Sequence, residues 1–223
     1  MHKKKYTLIL LFLFNTLFSQ VVLEIKLVGS IAHVNIINTT EDYYMLPINQ
    51  NHFRPFEENC DNFINYESEY PSFALLLNLV SLSGKKVDYT VGYKYLNDFN
   101  SDTKKINLER ESFQKKIKKW GRKNNINDYS TALINYKLIN SLIFLKPNEN
   151  KKIKIELDLK NITSQDLIFY NYFLDEAETY KLFLSLCNFD SLKYLTPYQR
   201  KKYANYKLFT NKLESNIIEL NKK

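Results

Sequence analysis

The side chains best suited to chemistry are few in this chain, and their spacing does not favour it. Three histidines and two cysteines occur among 223 residues. His33 and His52 follow the N-terminal apolar run, and neither has a second ligand-type residue at the short intervals from which metal sites are built. His33 shares a strand face with Asn35, the setting of a solvated histidine. His52 lies near Cys60, and a thiol beside an imidazole could serve as a nucleophile, but no signature of such enzymes surrounds either residue. Paired carboxylates of the glycosidase kind can be drawn from Glu57, Glu58, Asp61, Glu67 and Glu69. In one polar stretch they read as a solvated loop. Asp175-Glu176-Ala177-Glu178 lacks the alternating oxygen ligands and the glycine of an EF-hand loop. Only four glycines occur in the whole chain, which argues against phosphate-cradling loops. No catalytic residue, metal or cofactor is expected, and the chain reads as non-enzymatic.

Charge is the chemistry that the sequence does concentrate. Between Lys104 and Lys123 stand Lys104, Lys105, Arg110, Lys115, Lys116, Lys118, Lys119, Arg122 and Lys123 against Glu109 and Glu111. The formal net charge of the whole chain is +8, so this one segment carries most of it. A helix over Leu108 to Trp120 would place Phe113, Ile117 and Trp120 on one apolar stripe beside a basic face. Two readings stay open. In one, the stripe packs on the body of the protein and the lysines are simply solvated. In the other, Lys115, Lys116, Lys118, Lys119 and Arg122, with Trp120, contact an anionic partner: an anionic surface, an acidic glycan or an acidic envelope protein. Nothing resembles a nucleic-acid-binding module, so nucleic acid is not an expected partner.

The first residues supply an address. His2, Lys3, Lys4 and Lys5 form a basic head, and Tyr6 to Phe18 is an apolar run broken only by Thr7, Asn15 and Thr16. A membrane-spanning helix needs about 20 apolar residues, and this run stops at Ser19 and Gln20. Residues 1–19 therefore read as a cleaved signal peptide, and the mature chain as an exported protein of the periplasm, outer surface or exterior. About 200 residues remain, enough for a single core, so residues 20–223 are expected to form one domain. Export exposes Cys60 and Cys187 to an oxidising environment, where a disulfide between them and two unrelated cysteines are both open.

The elements that must position the basic segment read mostly as strands. Leu23 to Val28 and Ile31 to Ile37 flank Gly29-Ser30 as a hairpin would. Tyr43 to Ile48 follows, and Asn49 to Pro71 reads as a polar, acidic loop. Phe73 to Leu82 is apolar on both faces, as a central strand would be. In Val87 to Tyr95 the odd-numbered residues are expected to face the core. Leu138 to Leu145 reads as one apolar strand. Lys152 to Lys160 alternates with Ile153, Ile155, Leu157 and Leu159 inward. Tyr180 to Cys187, Tyr206 to Thr210 and Asn216 to Leu220 complete the set. Thr196-Pro197-Tyr198-Gln199 predicts one short helix through a capping box with proline at its first position. Tyr170 and Tyr172, alternating with Phe169 and Phe173, could offer sugar rings a stacking pair, which keeps a carbohydrate-binding module among the alternatives.

The turn Leu145-Lys146-Pro147-Asn148-Glu149 with the alternating strand after it resembles the proline-and-acid turn of bacterial immunoglobulin-like sandwich domains. Tyr206 to Phe209 followed by Leu213 to Leu220 resembles their final hairpin. The resemblance implies an all-β, antiparallel immunoglobulin-like β-sandwich, here with a basic helical or irregular insertion at about 97–136 and one short C-terminal helix. Such domains serve as binding, adhesive or structural modules and bring no catalytic residues. A hydrolase or inhibitor with a loop-built site is the other alternative.

Overall fold

The computed structural model describes residues 20–56, 72–93, 99–165, 168–175, 178–186 and 191–220. The expected signal peptide, Cys60, Cys187 and the acidic residues Glu57, Glu58, Asp61, Glu67 and Glu69 lie outside them.

The chain enters through a hairpin that its own sequence dictates. β1 (Val21–Val28) and β2 (Ile31–Asn38) pair antiparallel, with Val28 opposite Ile31. The two-residue loop works because Gly29 takes φ +62°, the conformation that a type II′ turn demands at its first central position. β8 (Asn150–Glu156) joins on the far side of β2. On this sheet Val21, Leu23, Ile25, Ala32, Val34, Ile36, Ile153 and Ile155 point inward, while Lys152, Lys154 and Glu156 remain exposed. The alternation read over Lys152 to Lys160 is thus borne out, with the regular strand ending at Glu156 and Leu157 and Leu159 packing on the core's edge.

A second sheet faces the same core. β5 (Ala74–Ser81) is its central strand, buried from Ala74 to Leu79, between β4 (Asn49–Pro55) and β11 (Tyr180–Leu186). β13 (Leu213–Glu214) and β14 (Ile218–Leu220) both pair with β11. A third sheet has the order β12 (Lys207–Leu208), β3 (Tyr44–Pro47), β7 (Leu142–Leu145), and a fourth β6 (Tyr89–Tyr93), β10 (Ile168–Tyr172), β9 (Thr163–Gln165). The main core draws on β1, β2 and β8 from one side, on β4, β5 and β11 from the other, and on Tyr44, Leu46, Ile143 and Leu145 of β3 and β7.

Several expectations give way. The described fold is mostly β, 42% strand, but its helical share of 28% is too large for an all-β description. It is also not purely antiparallel, since β4 runs parallel to β5 and β12 parallel to β3. Asn49 to Pro55, read as loop, is a strand because Phe53, Arg54 and Pro55 are buried beside β5. The expected C-terminal hairpin does not form. Tyr206 instead packs on Phe144, with ring centroids 4.9 Å apart, and on Tyr43 at 5.5 Å, which draws β12 onto β3. In β6 the inward expectation fails at Val91, which is 49% exposed on an edge strand. Tyr170 and Tyr172, the candidate stacking pair, are buried, and the Tyr172 hydroxyl donates to the Leu77 carbonyl at 2.7 Å. Burial pushes the Tyr172 phenol up to about 12. Phe173, by contrast, is 75% exposed.

The insertion is helical. α1 (Phe99–Lys123) extends beyond the predicted bounds at both ends, and α2 (Tyr129–Ser141) follows it. Leu138 to Leu145 is therefore not one strand: the chain passes from α2 into β7 without a loop, at Ser141 and Leu142. α3 (Pro197–Lys202) begins with the capping box that the sequence predicts.

The inward alternation of β8 has a direct test. Ile155→Asp buries an unpaired carboxylate and is expected to lower stability by about 3 kcal/mol or more, whereas Glu156→Lys should stay within about 0.5 kcal/mol of the parent. Denaturant melts of the two variants decide this, and equal sensitivity at both positions would contradict the register.

Candidate functional site

The basic segment is held by its apolar stripe. Phe113 and Ile117 are buried against Ala132 and Leu133 of α2, with Ile126, Tyr129 and Tyr136 around them. Gly121 permits this approach, because a Cβ there would lie 2.9 Å from the Ile126 carbonyl oxygen and 3.2 Å from the Ala132 side chain. Asp128 caps α2 by accepting from the Thr131 amide at 2.7 Å, and that bond holds the Asp128 carboxyl below its ordinary range. Trp120 is half-buried and turned toward α2. Its indole Nε1 donates to Asn135 Oδ1 at 2.8 Å, and its ring meets Tyr136 edge-on, with centroids 5.4 Å apart.

Asn135 joins this pair to the C-terminal segment. It is fully buried, and its Nδ2 donates to the Tyr194 carbonyl and to Gln199 Oε1, both at 2.7 Å. Gln199 Nε2 donates in turn to Asn135 Oδ1 at 3.2 Å and to Asn124 Oδ1 at 3.3 Å. Gln199 Oε1 also accepts from the Thr196 amide at 2.9 Å, which completes the α3 capping box. One amide pair thereby ties α1, α2 and α3 together.

With its stripe packed, α1 presents its cations outward. Lys115, Lys118, Lys119 and Arg122 are exposed, and at 100° per residue they fall on the side opposite Phe113 and Ile117. Lys116, also exposed, sits on the flank, with its Nζ 5.2 Å from the centroid of the Tyr136 ring.

That flank borders a cleft of about 320 Å³. β4 builds one wall. Its register passes from Asn49 opposite Ala74 straight to Phe53 opposite Leu75, so the residues between them bulge. Asn49 Oδ1 fixes the bulge by accepting from the amides of Asn51 at 2.9 Å and His52 at 3.2 Å. Asn49, Asn51 and His52 then line the cleft with Ser72, while α2 supplies Tyr136, Lys137, Asn140 and Ser141, and α1 supplies Phe113 and Lys116. Behind this wall Arg54 is wholly buried, its Nη1 donating to the Ser72 carbonyl at 2.9 Å. Lys137 is 7% exposed. Burial pushes its amine down to about 7, and the positive charge of Arg54 adds to the shift.

Sequence reasoning located the exposed cations and missed Lys137, Arg54 and the Asn135 hub. The available signal was the run Leu133-Ile134-Asn135-Tyr136-Lys137-Leu138-Ile139, in which an amide and an amine sit among apolar neighbours. His33 lies half-buried between Lys26 and Lys154 on the neighbouring strands. Of the imagined His52–Cys60 pair, His52 lies on the β4 bulge and Cys60 falls outside the described residues. Among the described residues no group of three or more His, Cys, Asp and Glu is placed to hold a metal ion. No helix among them is long and apolar enough to cross a membrane. Comparison with protein-family models, with curated proteins and with solved structures finds no match to this chain.

The depressed Lys137 amine makes stability depend on pH. Between about 7 and 10.5 the unfolded chain holds a proton that the folded chain has released, so this contribution to stability rises with pH across that window. Below it both states are protonated and the full penalty applies. Lys137→Met is expected to be more stable than the parent at pH 6.5, by about 1 kcal/mol or more, with the gap closing toward pH 10. Melts across that range check it; a gap that is absent at pH 6.5, or unchanged at pH 10, would contradict the assignment.

Proposed function

We propose that this chain is an exported, non-enzymatic binding module that contacts an acidic polysaccharide through the outer face of α1. The observation that carries the reading is the division of α1 into two sides: Phe113 and Ile117 are buried on α2, while Lys115, Lys118, Lys119 and Arg122 all face solvent. A surface of this kind acts by charge complementarity and requires no covalent chemistry. The packed stripe also favours a hydrophilic polyanion over a bilayer, because interfacial helices bury an apolar face in lipid and α1 has already buried its own against α2.

Export is supported by the basic head and the short apolar run that ends at Phe18. A role as an immunoglobulin-like sandwich module is supported by the shared core between the β1-β2-β8 sheet and the sheet centred on β5, and by the turn at Lys146 to Glu149. In that turn Asn148 takes φ +56° and Glu149 Oε2 accepts from the Lys146 amide at 2.6 Å.

Binding to alginate, measured by titration, should weaken steeply with salt, since the screening length falls from about 10 Å at 0.1 M to about 3 Å at 1 M. Replacing Lys115, Lys118, Lys119 and Arg122 by Gln should weaken it about tenfold or more while moving the melting temperature little, because exposed lysines contribute little to stability. Undiminished binding by that variant would return the helix to a merely solvated face. Anionic vesicles bound more tightly than alginate would shift the partner to a lipid surface.

A further inference from the structure

We infer that the cleft between the β4 bulge and the α1–α2 pair binds a neutral sugar, through uncharged side chains whose hydrogen-bonding capacity the fold leaves unused. The inference stands apart from the α1-face reading, which concerns the exposed cations opposite the buried stripe of that helix.

The unused groups come from both walls. Asn49 Oδ1 accepts from the amides of Asn51 and His52, so what this side chain has left to offer is its NH2 group, a donor. Asn140 is the reverse case. Its Nδ2 donates to the Tyr136 carbonyl at 2.7 Å, which leaves its oxygen to accept. His52, Tyr136 and Ser141 line the same cleft, and the ring of the first and the hydroxyls of the other two make no hydrogen bond to any described residue. Ser141 weighs most among them, because it is only 7% exposed. Buried hydroxyls are mostly hydrogen-bonded, so one that lines a cleft without a partner marks where a ligand hydroxyl fits.

The class of ligand follows from what such groups can do. A hydroxyl or an imidazole with one ring proton both donates and accepts, whereas carboxylates and phosphates only accept and ammonium groups only donate. A donor, an acceptor and side chains of both kinds together match a body whose own groups also do both, which describes a ring of hydroxyls. Lys116 and Lys137 line the cleft as well, but each takes part in further interactions within the protein, so neither assigns a charge to the ligand. The walls are held before any ligand arrives. The Ile48 amide donates to the Ser141 carbonyl at 2.7 Å, and the Asn49 amide to the Phe73 carbonyl at 2.8 Å, which ties the end of α2 and the start of the bulge to the sheets. Such preorganisation favours binding, because little is left to be ordered. The size agrees, since about 320 Å³ lies at the small end of ligand pockets.

Saturation-transfer NMR with D-glucose, D-galactose, D-mannose and N-acetyl-D-glucosamine tests the proposal, with D-glucuronate as the charged comparison. At least one neutral sugar should bind with a Kd of about 1 mM or tighter. Salt should change that affinity little, in contrast to alginate on the α1 face. Asn49→Asp keeps the acceptor that holds the bulge and removes the NH2 donor. Asn140→Leu, at an exposed position, removes the acceptor, and Ser141→Ala removes the buried hydroxyl. Each should weaken binding about fivefold or more, the loss expected for one hydrogen bond, with the melting temperature close to that of the parent. The variant with Gln at 115, 118, 119 and 122 should bind the sugar normally, and Asn140→Leu should keep salt-sensitive binding to alginate, so either reading can fail without the other. Binding of none of the neutral sugars, D-glucuronate bound more tightly than all of them, or an affinity unchanged in all three cleft variants would overturn the assignment.

Discussion

The arrangement of the helices depends on the buried pair Asn135 and Gln199. A buried amide left without partners costs about 1–3 kcal/mol, so two of them in one apolar interface would destabilise it severely. Here each satisfies the other, and the remaining capacity goes to Trp120, Asn124, Thr196 and the Tyr194 carbonyl. The cost of burial thereby becomes a geometric condition. The hydrogen bonds close only when α1, α2 and the turn into α3 are all in register, which makes the interface specific as well as stable.

That condition reaches the sheets through shared side chains. α2 carries Leu138, which packs with Met45 of β3, with Phe73 at the entry to β5 and with Leu195 before α3. The same helix delivers Lys137 and Asn140 to the cleft and Leu133 to the α1 stripe. The cationic outer face of α1 and the cleft on its flank are thus two outputs of one packing arrangement. Their chemistries differ because their solvation differs: Lys115 and Lys118 stay in water, whereas Lys137 is stripped of it and shares its surroundings with Arg54.

The strands that were legible in the sequence are those with a single buried face. Ile153 and Ile155 alternate with lysines and a glutamate, so their period survives any tertiary context, and the capping box at Thr196 is equally local. Elements defined by remote partners were not legible. β4 is a polar sequence whose strand character comes from Phe53, Arg54 and Pro55 lying parallel to β5, and nothing in residues 49–55 announces that neighbour. α2 was obscured for another reason. It packs on α1 through Ala132 and Leu133 and on the β3 side through Leu138, so its apolar residues do not form the single stripe by which a helix is recognised. Tyr170 and Tyr172 were open to a solvent-facing reading because alternation reveals two faces without telling which is inward. In the candidate site, the exposed lysines stand out by number alone, while Lys137 acquires its character from burial in the folded chain and, after that, from Arg54, more than eighty positions earlier in the chain.

The most direct measurement of the central claim is amide hydrogen exchange in Asn135→Leu, which keeps the volume of the hub and removes its hydrogen bonds. If the hub holds the helices together, exchange in α1, α2 and residues 192–202 should accelerate jointly, by about tenfold or more, while the β1-β2-β8 sheet keeps its protection. Acceleration confined to the turn around position 135, or protection of α1 unchanged from the parent, would contradict it.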